Sequence, residues 1–176
     1  MDPQLLSAML HWVKRGTIAL VALLLLGGIA GFAVARLQVG PRQPIPFSHK
    51  LHVTQKGISC FFCHESADHS PHAGIPPVEK CLLCHRVIIP EFRPIRPLHE
   101  YQRRQQGVPW VRVNVVPDFV FFNHQIHLAR GIDCGQCHGD VKQMDRVRKV
   151  NRMDMGFCVN CHWQKGASND CWTCHR

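Results

Sequence analysis

Three kinds of hydrophobic patterning follow one another along this chain. Residues 17–35, TIALVALLLLGGIAGFAVA, carry no charge over a length that suits a bilayer-spanning helix of about 20 residues. Ahead of this run, Leu5, Leu6, Met9, Leu10 and Val13 recur at helical spacing with Trp12 beside them. That pattern predicts a segment over 1–16 that lies on a membrane surface or prolongs the helix. Beyond residue 36 long apolar stretches stop. VGPRQPIPF (39–47) is rich in proline and predicts a stiff linker over 37–46. From 47 to 176 the apolar positions come in short runs separated by Gly, Pro and polar residues, a pattern for short helices and loops. Within it, PEFRPIRPLHEYQRRQQG predicts a basic helix bounded by proline, and the alternation in WVRVNVV predicts an extended strand.

The apolar run has two readings. Lys14 and Arg15 precede it and Ala33-Val34-Ala35 ends it, which resembles a secretion signal and its cleavage site. The run is longer than a signal core of about 7–15 residues, which favours a retained transmembrane helix over 17–36. Gly27, Gly31 and Ala35 place a small residue at every fourth position. Such a stripe lets a second helix approach closely, although a Gly-rich span also shows it by accident.

Composition then changes the picture. The chain of 176 residues holds 10 Cys and 13 His, and every cysteine falls into one of five copies of a single motif. These are Cys60-x-x-Cys63-His64, Cys81-x-x-Cys84-His85, Cys134-x-x-Cys137-His138, Cys158-x-x-Cys161-His162 and Cys171-x-x-Cys174-His175. Cys-x-x-Cys-His is the attachment signal of c-type haem: two thiols bond the porphyrin's vinyl groups and the adjacent imidazole binds the iron. Structural zinc would pair Cys-x-x-Cys units into closed four-ligand sites, and five units cannot all pair. A disulfide framework needs no histidine, and a thioredoxin-like site needs one motif. The expectation is five covalent haem c groups with His64, His85, His138, His162 and His175 as proximal ligands.

The formal charge of +9 comes from 21 Lys and Arg against 12 Asp and Glu. A basic balance ordinarily points to nucleic acid or anionic membrane. Ten haem propionates supply the counter-charge here, so nucleic acid drops out as a partner. Haem c attachment also places everything after the anchor on the periplasmic side of a bacterial inner membrane. About 140 residues around five haems are too few for an ordinary core, so the macrocycles must serve as the core of a multihaem domain over 47–176.

Eight histidines remain. His49 and His52 in FSHKLH, and His124 and His127 in FNHQIH, form two similar clusters. The i, i+3 spacing puts both imidazoles of a cluster on one helical face, so each reaches a different iron as distal ligand. PFSHKLHVTQKGISCFFCH and FFNHQIHLARGIDCGQCH align with one gap. This internal repeat divides the domain into a two-haem half over about 47–90, a connecting segment over about 91–118 and a three-haem half over about 119–176. For the fifth iron, Met155 in NRMDMGFCVNCH is the favoured ligand, since methionine is an established axial ligand. Met153, His69, His72 and His99 are its rivals, and core packing is the other use of Met155. His11 precedes the anchor and lies on the wrong side of the membrane.

CFFCHESADHSPHAGIPPVEKCLLCH, VPWVRVNVVPDFVFFNHQIH and MGFCVNCH together resemble the pentahaem cytochrome subunit of alternative complex III, and the paired histidines resemble c3/c7-like cytochromes more broadly. The resemblance runs from about residue 45 to the end and includes the N-terminal anchor. It implies an electron-transfer wire in a respiratory or photosynthetic quinol-oxidising complex. Implied partners are polytopic quinol-binding subunits, an iron–sulfur subunit, a monohaem cytochrome c and a periplasmic electron acceptor. It carries over His49, His52, His124 and His127 as distal ligands and, less firmly, Met155. No catalytic residue is expected in this chain. Three rival functions are a stand-alone membrane-anchored quinol dehydrogenase, a multihaem reductase of small molecules, and a cytochrome feeding a photosynthetic reaction centre. A reductase needs an iron with an open position, whereas enough distal candidates exist here for every iron.

Overall fold

The computed structural model describes residues 3–37 and 40–175; Met1, Asp2, Gln38, Val39 and Arg176 lie outside the described set, as do the side chains of Pro3, Leu5, Leu6, Ser7, Ala8, Ala35, Arg36 and Leu37. The chain divides into two units, Met1–Val39 and Gly40–Arg176.

The first unit is one helix, α1 (Pro3–Leu37), of 35 residues, about 52 Å long at 1.5 Å per residue. The amphipathic segment and the apolar run are therefore continuous. Its apolar stretch spans Met9–Val34, starting earlier than residue 17 because Lys14 and Arg15 are the only charges interrupting it. Thr17 Oγ1 donates to the Val13 carbonyl at 2.9 Å, which satisfies a hydroxyl inside the span.

The second unit consists of short helices: α2 (Cys60–Cys63), α3 (Val78–His85), α4 (Arg96–Arg103), α5 (His124–Ala129), α6 (Cys134–His138), α7 (Met155–Lys165) and α8 (Cys171–Cys174). A π-helical segment covers Lys50–Gln55 and a 3₁₀ turn covers Val141–Gln143. Among the described residues the only β pairing is the isolated bridge between Val120 and His175.

A small apolar core forms where α3 meets α4. Val78 and Leu82 lie one turn apart on α3, and Ile95 and Leu98 face them from the start of α4, with Ile45 closing the cluster. Pro97 sits in the first turn of α4, where its missing N–H breaks no helical bond. The outer face of α4 is charged, with Glu100 paired to both Arg103 and Arg104. Among the described residues no polar side chain is buried as a whole.

The stretch expected as a linker is folded into this core. Ile45 is buried, and Gly40 lies so close to the backbone of Val147 that a Cβ would overlap the Val147 carbonyl oxygen. Gln43 Nε2 donates to the Val111 carbonyl at 2.9 Å and Gln43 Oε1 accepts from the Val111 N–H at 2.8 Å. This clamp explains why WVRVNVV forms no strand: a side-chain amide already satisfies Val111 on both its backbone groups, leaving no ladder to extend.

The internal repeat has a structural consequence. In the second half four positions separate His127 from Gly131, and α5 is an ordinary α-helix; in the first half His52 and Gly57 are separated by one position more, and the segment is π-helical. An extra residue inside a helix is accommodated by widening one turn. Both segments stop at a glycine with positive φ, +69° at Gly57 and +74° at Gly131. Ile58 N then reaches back to the His52 carbonyl, and Ile132 N to that of His127. The one-residue gap is thus absorbed between the histidines and the cysteines, and both ends keep their place.

Candidate haem-binding sites

Each Cys-x-x-Cys pair sits on a single helical turn, so its two thiols share one face. The turns are started locally. Asp133, Asp154 and Asp170 cap α6, α7 and α8 by accepting from the backbone N–H of Gly135, Phe157 and Trp172, the usual role of Asp ahead of a first turn. No disulfide joins any of the ten cysteines, and none is buried outright. Burial pushes the Cys63, Cys81, Cys134, Cys137 and Cys158 thiols upward, and neighbouring thiols push them further. Among the described residues no three His, Cys, Asp or Glu side chains converge to hold an ion, as a zinc site would require.

The histidines are brought together in pairs. Ring centres lie 6.2 Å apart for His52 and His85, 6.4 Å for His124 and His138, and 6.1 Å for His127 and His162. Two iron–nitrogen bonds of about 2 Å, plus about 1 Å from each nitrogen to its ring centre, separate two imidazoles on one iron by about 6 Å. All three pairs have that spacing. His49 is the counterpart of His124 in the repeat and has His64 among the charges acting on it. Burial, then His64 and His52, lower its pKa to about 4.

The tautomers fit as well. The Nδ1 of His52, His64, His85, His124, His127 and His162 faces a backbone carbonyl: that of Ser48, Gly74, Ile88, Pro71, Asn123 and Ser168, at 2.6–3.1 Å. A carbonyl only accepts, so Nδ1 carries the proton and Nε2 presents its lone pair, the form that binds a metal. His138 differs, with the Asn114 side-chain amide 3.0 Å from its Nδ1. The Asn114 Oδ1 is buried with no other partner. Turning that amide so Oδ1 faces Nδ1 pairs the oxygen and gives His138 the same tautomer.

Two residues that the motif reading passed over hold the clusters. Phe47 stacks on His52 at 4.3 Å and meets His49 edge-on at 4.9 Å. Phe122 does the same for His127 and His124, at 4.4 and 4.8 Å. The repeated Phe-x-His-x-x-His spelling was the available signal. One phenyl ring thus sets the angle between two imidazoles.

The fifth motif stands apart. His175 has the Phe119 ring 5.8 Å away. Met155 opens α7 and is largely exposed, Met153 is half-buried, and His69 and His72 are exposed. His69 pairs with Asp68 at 2.7 Å. The half-buried His99 has a buried Nε2 with no partner and lines a cavity of about 480 Å³ with Arg86, Pro90, Glu91 and Arg96. No ring or hydrogen-bond contact joins any of these five candidates to His175 among the described residues.

A family model for cytochrome c7 and related cytochrome c matches residues 120–176. The chain is 31% identical over 161 residues to the multiheme cytochrome c subunit of menaquinone reductase from Nitratidesulfovibrio vulgaris, an alignment covering 76% of this chain and 77% of that protein.

Proposed function

The chain belongs to the multihaem c-type cytochromes, with a c7-like domain of short helices and one apolar N-terminal helix, and on that footing we propose that it is a five-haem electron wire in a membrane quinone-linked complex. The observation that carries the proposal is the set of paired imidazoles at 6.1–6.4 Å, beside five attachment motifs that use every cysteine.

Haem c supplies a one-electron couple whose potential depends on its axial ligands and its surroundings. The chain's residues do the rest. The ten cysteines would hold the five macrocycles, two to each, while His64, His85, His138, His162 and His175 would serve as proximal ligands and His49, His52, His124 and His127 as distal ones. Ligands held on both sides leave little nuclear rearrangement between oxidation states, which suits transfer rather than substrate chemistry. For the fifth iron Met155 remains the favoured ligand. Helix α1 anchors the domain, with the haem side in the periplasm. The partners of this reading are polytopic quinone-binding subunits, an iron–sulfur subunit and a monohaem cytochrome c, as in a complex of the alternative complex III kind.

Two directions of flow follow from two observations. The sequence resemblance favours quinol oxidation toward a periplasmic acceptor. The relative is named for reducing menaquinone, which favours the reverse. A wire conducts both ways, and its potentials choose.

The test uses the purified membrane complex. Haem is counted per chain as the pyridine haemochrome, a stepwise redox titration is followed by low-temperature EPR, and haem reduction or oxidation is timed after mixing with menaquinol or menaquinone. Five low-spin haems per chain in redox contact with quinone support the wire. A high-spin component that binds small ligands would turn the reading to a reductase. Equal quinol kinetics in the isolated chain would make it a stand-alone dehydrogenase.

A further inference from the structure

The contacts between the two halves fix an arrangement that the motifs, taken one by one, do not. Resting on the five-haem reading above, we propose that the five sites form a single unbranched row in the order His85, His64, His138, His162, His175, with the two halves of the repeat meeting at His64 and His138.

Within the first half, one short segment reaches both sites. His49 and His52 flank the same Phe47 ring, and His52 pairs with His85. Lys80 ties the two sites again, bonding Glu65 at 2.7 Å and lying over the Phe62 ring at 5.3 Å. The second half repeats the plan, with Phe122 between His124, which pairs with His138, and His127, which pairs with His162.

The joint between halves is reciprocal. The second cluster is held by the loop that follows the first motif. His124 N and Nδ1 both engage the Pro71 carbonyl, Gln125 N bonds the Ser70 carbonyl, and the same loop supplies Gly74 to His64. The first cluster is held by the segment that follows the third motif. Ser48 Oγ donates to Asp145 at 2.7 Å, Thr54 Oγ1 donates to the Lys142 carbonyl at 2.6 Å, and Lys50 N donates to the Met144 carbonyl at 3.2 Å. Each cluster therefore rests on the other half's first site. Such an exchange brings the sites of His64 and His138 to the middle and sends those of His85 and His162 outward.

The fifth site extends the second arm. Ser168, whose carbonyl accepts from His162, shares a 3.0 Å hydroxyl contact with Thr173 inside the fifth motif. Phe121 N bonds the Cys174 carbonyl at 2.8 Å, which ties this site to the segment entering the second cluster. The row is thus a two-fold arrangement of four with one site appended, and it differs from the order of the motifs in sequence.

A cryo-EM or crystal structure of the haem-loaded full chain in its complex tests this through iron positions. The expected nearest neighbours are His85 with His64, His64 with His138, His138 with His162, and His162 with His175. An iron at His85 closer to that at His138 than to that at His64, or a branch at any site, would overturn the order. A motif without an iron would instead sink the five-haem reading, and the order would then be judged on the remaining sites.

Discussion

On the five-haem reading proposed above, and with the Asn114 amide turned so that Oδ1 faces Nδ1, Asn114→Leu removes the acceptor of the His138 Nδ1–H. In the paired sites whose Nδ1 faces a backbone carbonyl, no substitution can delete it. Asn114 supplies that contact from a side chain at 3.0 Å. Leucine keeps the branching at Cγ but cannot accept a hydrogen bond, so the Nδ1–H loses its partner. The lost bond strengthens electron donation by the imidazole and so favours the ferric state. A differential hydrogen bond of this kind is worth about 1 kcal/mol. A tenfold change in a one-electron equilibrium is about 59 mV or 1.4 kcal/mol, so the midpoint of this one haem rises by about 40 mV. Asn114→Asp offers a stronger acceptor and lowers it. The assay is a redox titration of the holoprotein resolved by EPR, which separates the affected haem from the other four. A curve superimposable on the parent in both variants would refute the tautomer argument, and a uniform shift of all five would show a general structural change instead.

Other outcomes follow from particular geometry. The imidazole planes are nearly parallel at His124/His138, 3° apart, and steeply crossed at His52/His85, 70° apart. Parallel planes split the iron dπ orbitals and crossed planes leave them close in energy, so low-temperature EPR should show a rhombic species and a strongly anisotropic one. Five identical signals would contradict the pairing. Leu82 is 2% exposed and lies between Cys81 and Cys84, so Leu82→Ala destabilises the folded domain by about 2–5 kcal/mol, read as a lower denaturant midpoint, and an unchanged midpoint would remove the α3–α4 core from its structural role. In the haem-free chain, burial and then the charges on His64 and His52 push the pKa of His49 down to about 4, against an ordinary 6.5. Its folded pKa is depressed, so the unfolded chain alone takes up a proton between those values. Its contribution is fully present above pH 6.5 and is lost as the pH falls toward 4. Denaturant midpoints at pH 7, 5 and 4 should drop, and drop less in His49→Met; parallel curves would dismiss the assignment.

Some of this was legible in the sequence because the chemistry is spelled in contiguous residues. A Cys-x-x-Cys-His motif closes on its own helical turn, and Phe-x-His-x-x-His orients its own imidazoles, so neither needs the rest of the fold to be recognised. The basic helix bounded by proline also lies where its pattern puts it, as α4. The alternation in 110–116 misled, because Gln43 from a distant segment takes up Val111 and no strand partner is present. Asn114 was invisible for the related reason that it reaches His138 across a loop and carries no motif. The gap in the repeat could be seen but not interpreted, since only backbone geometry shows that it becomes a π-helical turn. The fifth iron's partner was ambiguous in the sequence, and among the described residues no ring or hydrogen-bond contact singles out one of Met155, Met153, His69, His72 and His99 beside His175.

The small apolar core bears on how such a chain is made and policed. Buried apolar side chains among the described residues come to Ile45, Ala67, Val78, Leu82, Ile95 and Leu98, and five of these six belong to the cluster at the α3–α4 corner. The three attachment motifs of the second half lie outside that corner and gain no support from it. On the proposed five-haem reading, a chain with one of those motifs unfilled would lack local burial there, and its backbone would open readily to a protease. The thin core would then act as a checkpoint in biogenesis, with cofactor loading, rather than collapse of the polypeptide, deciding which molecules survive.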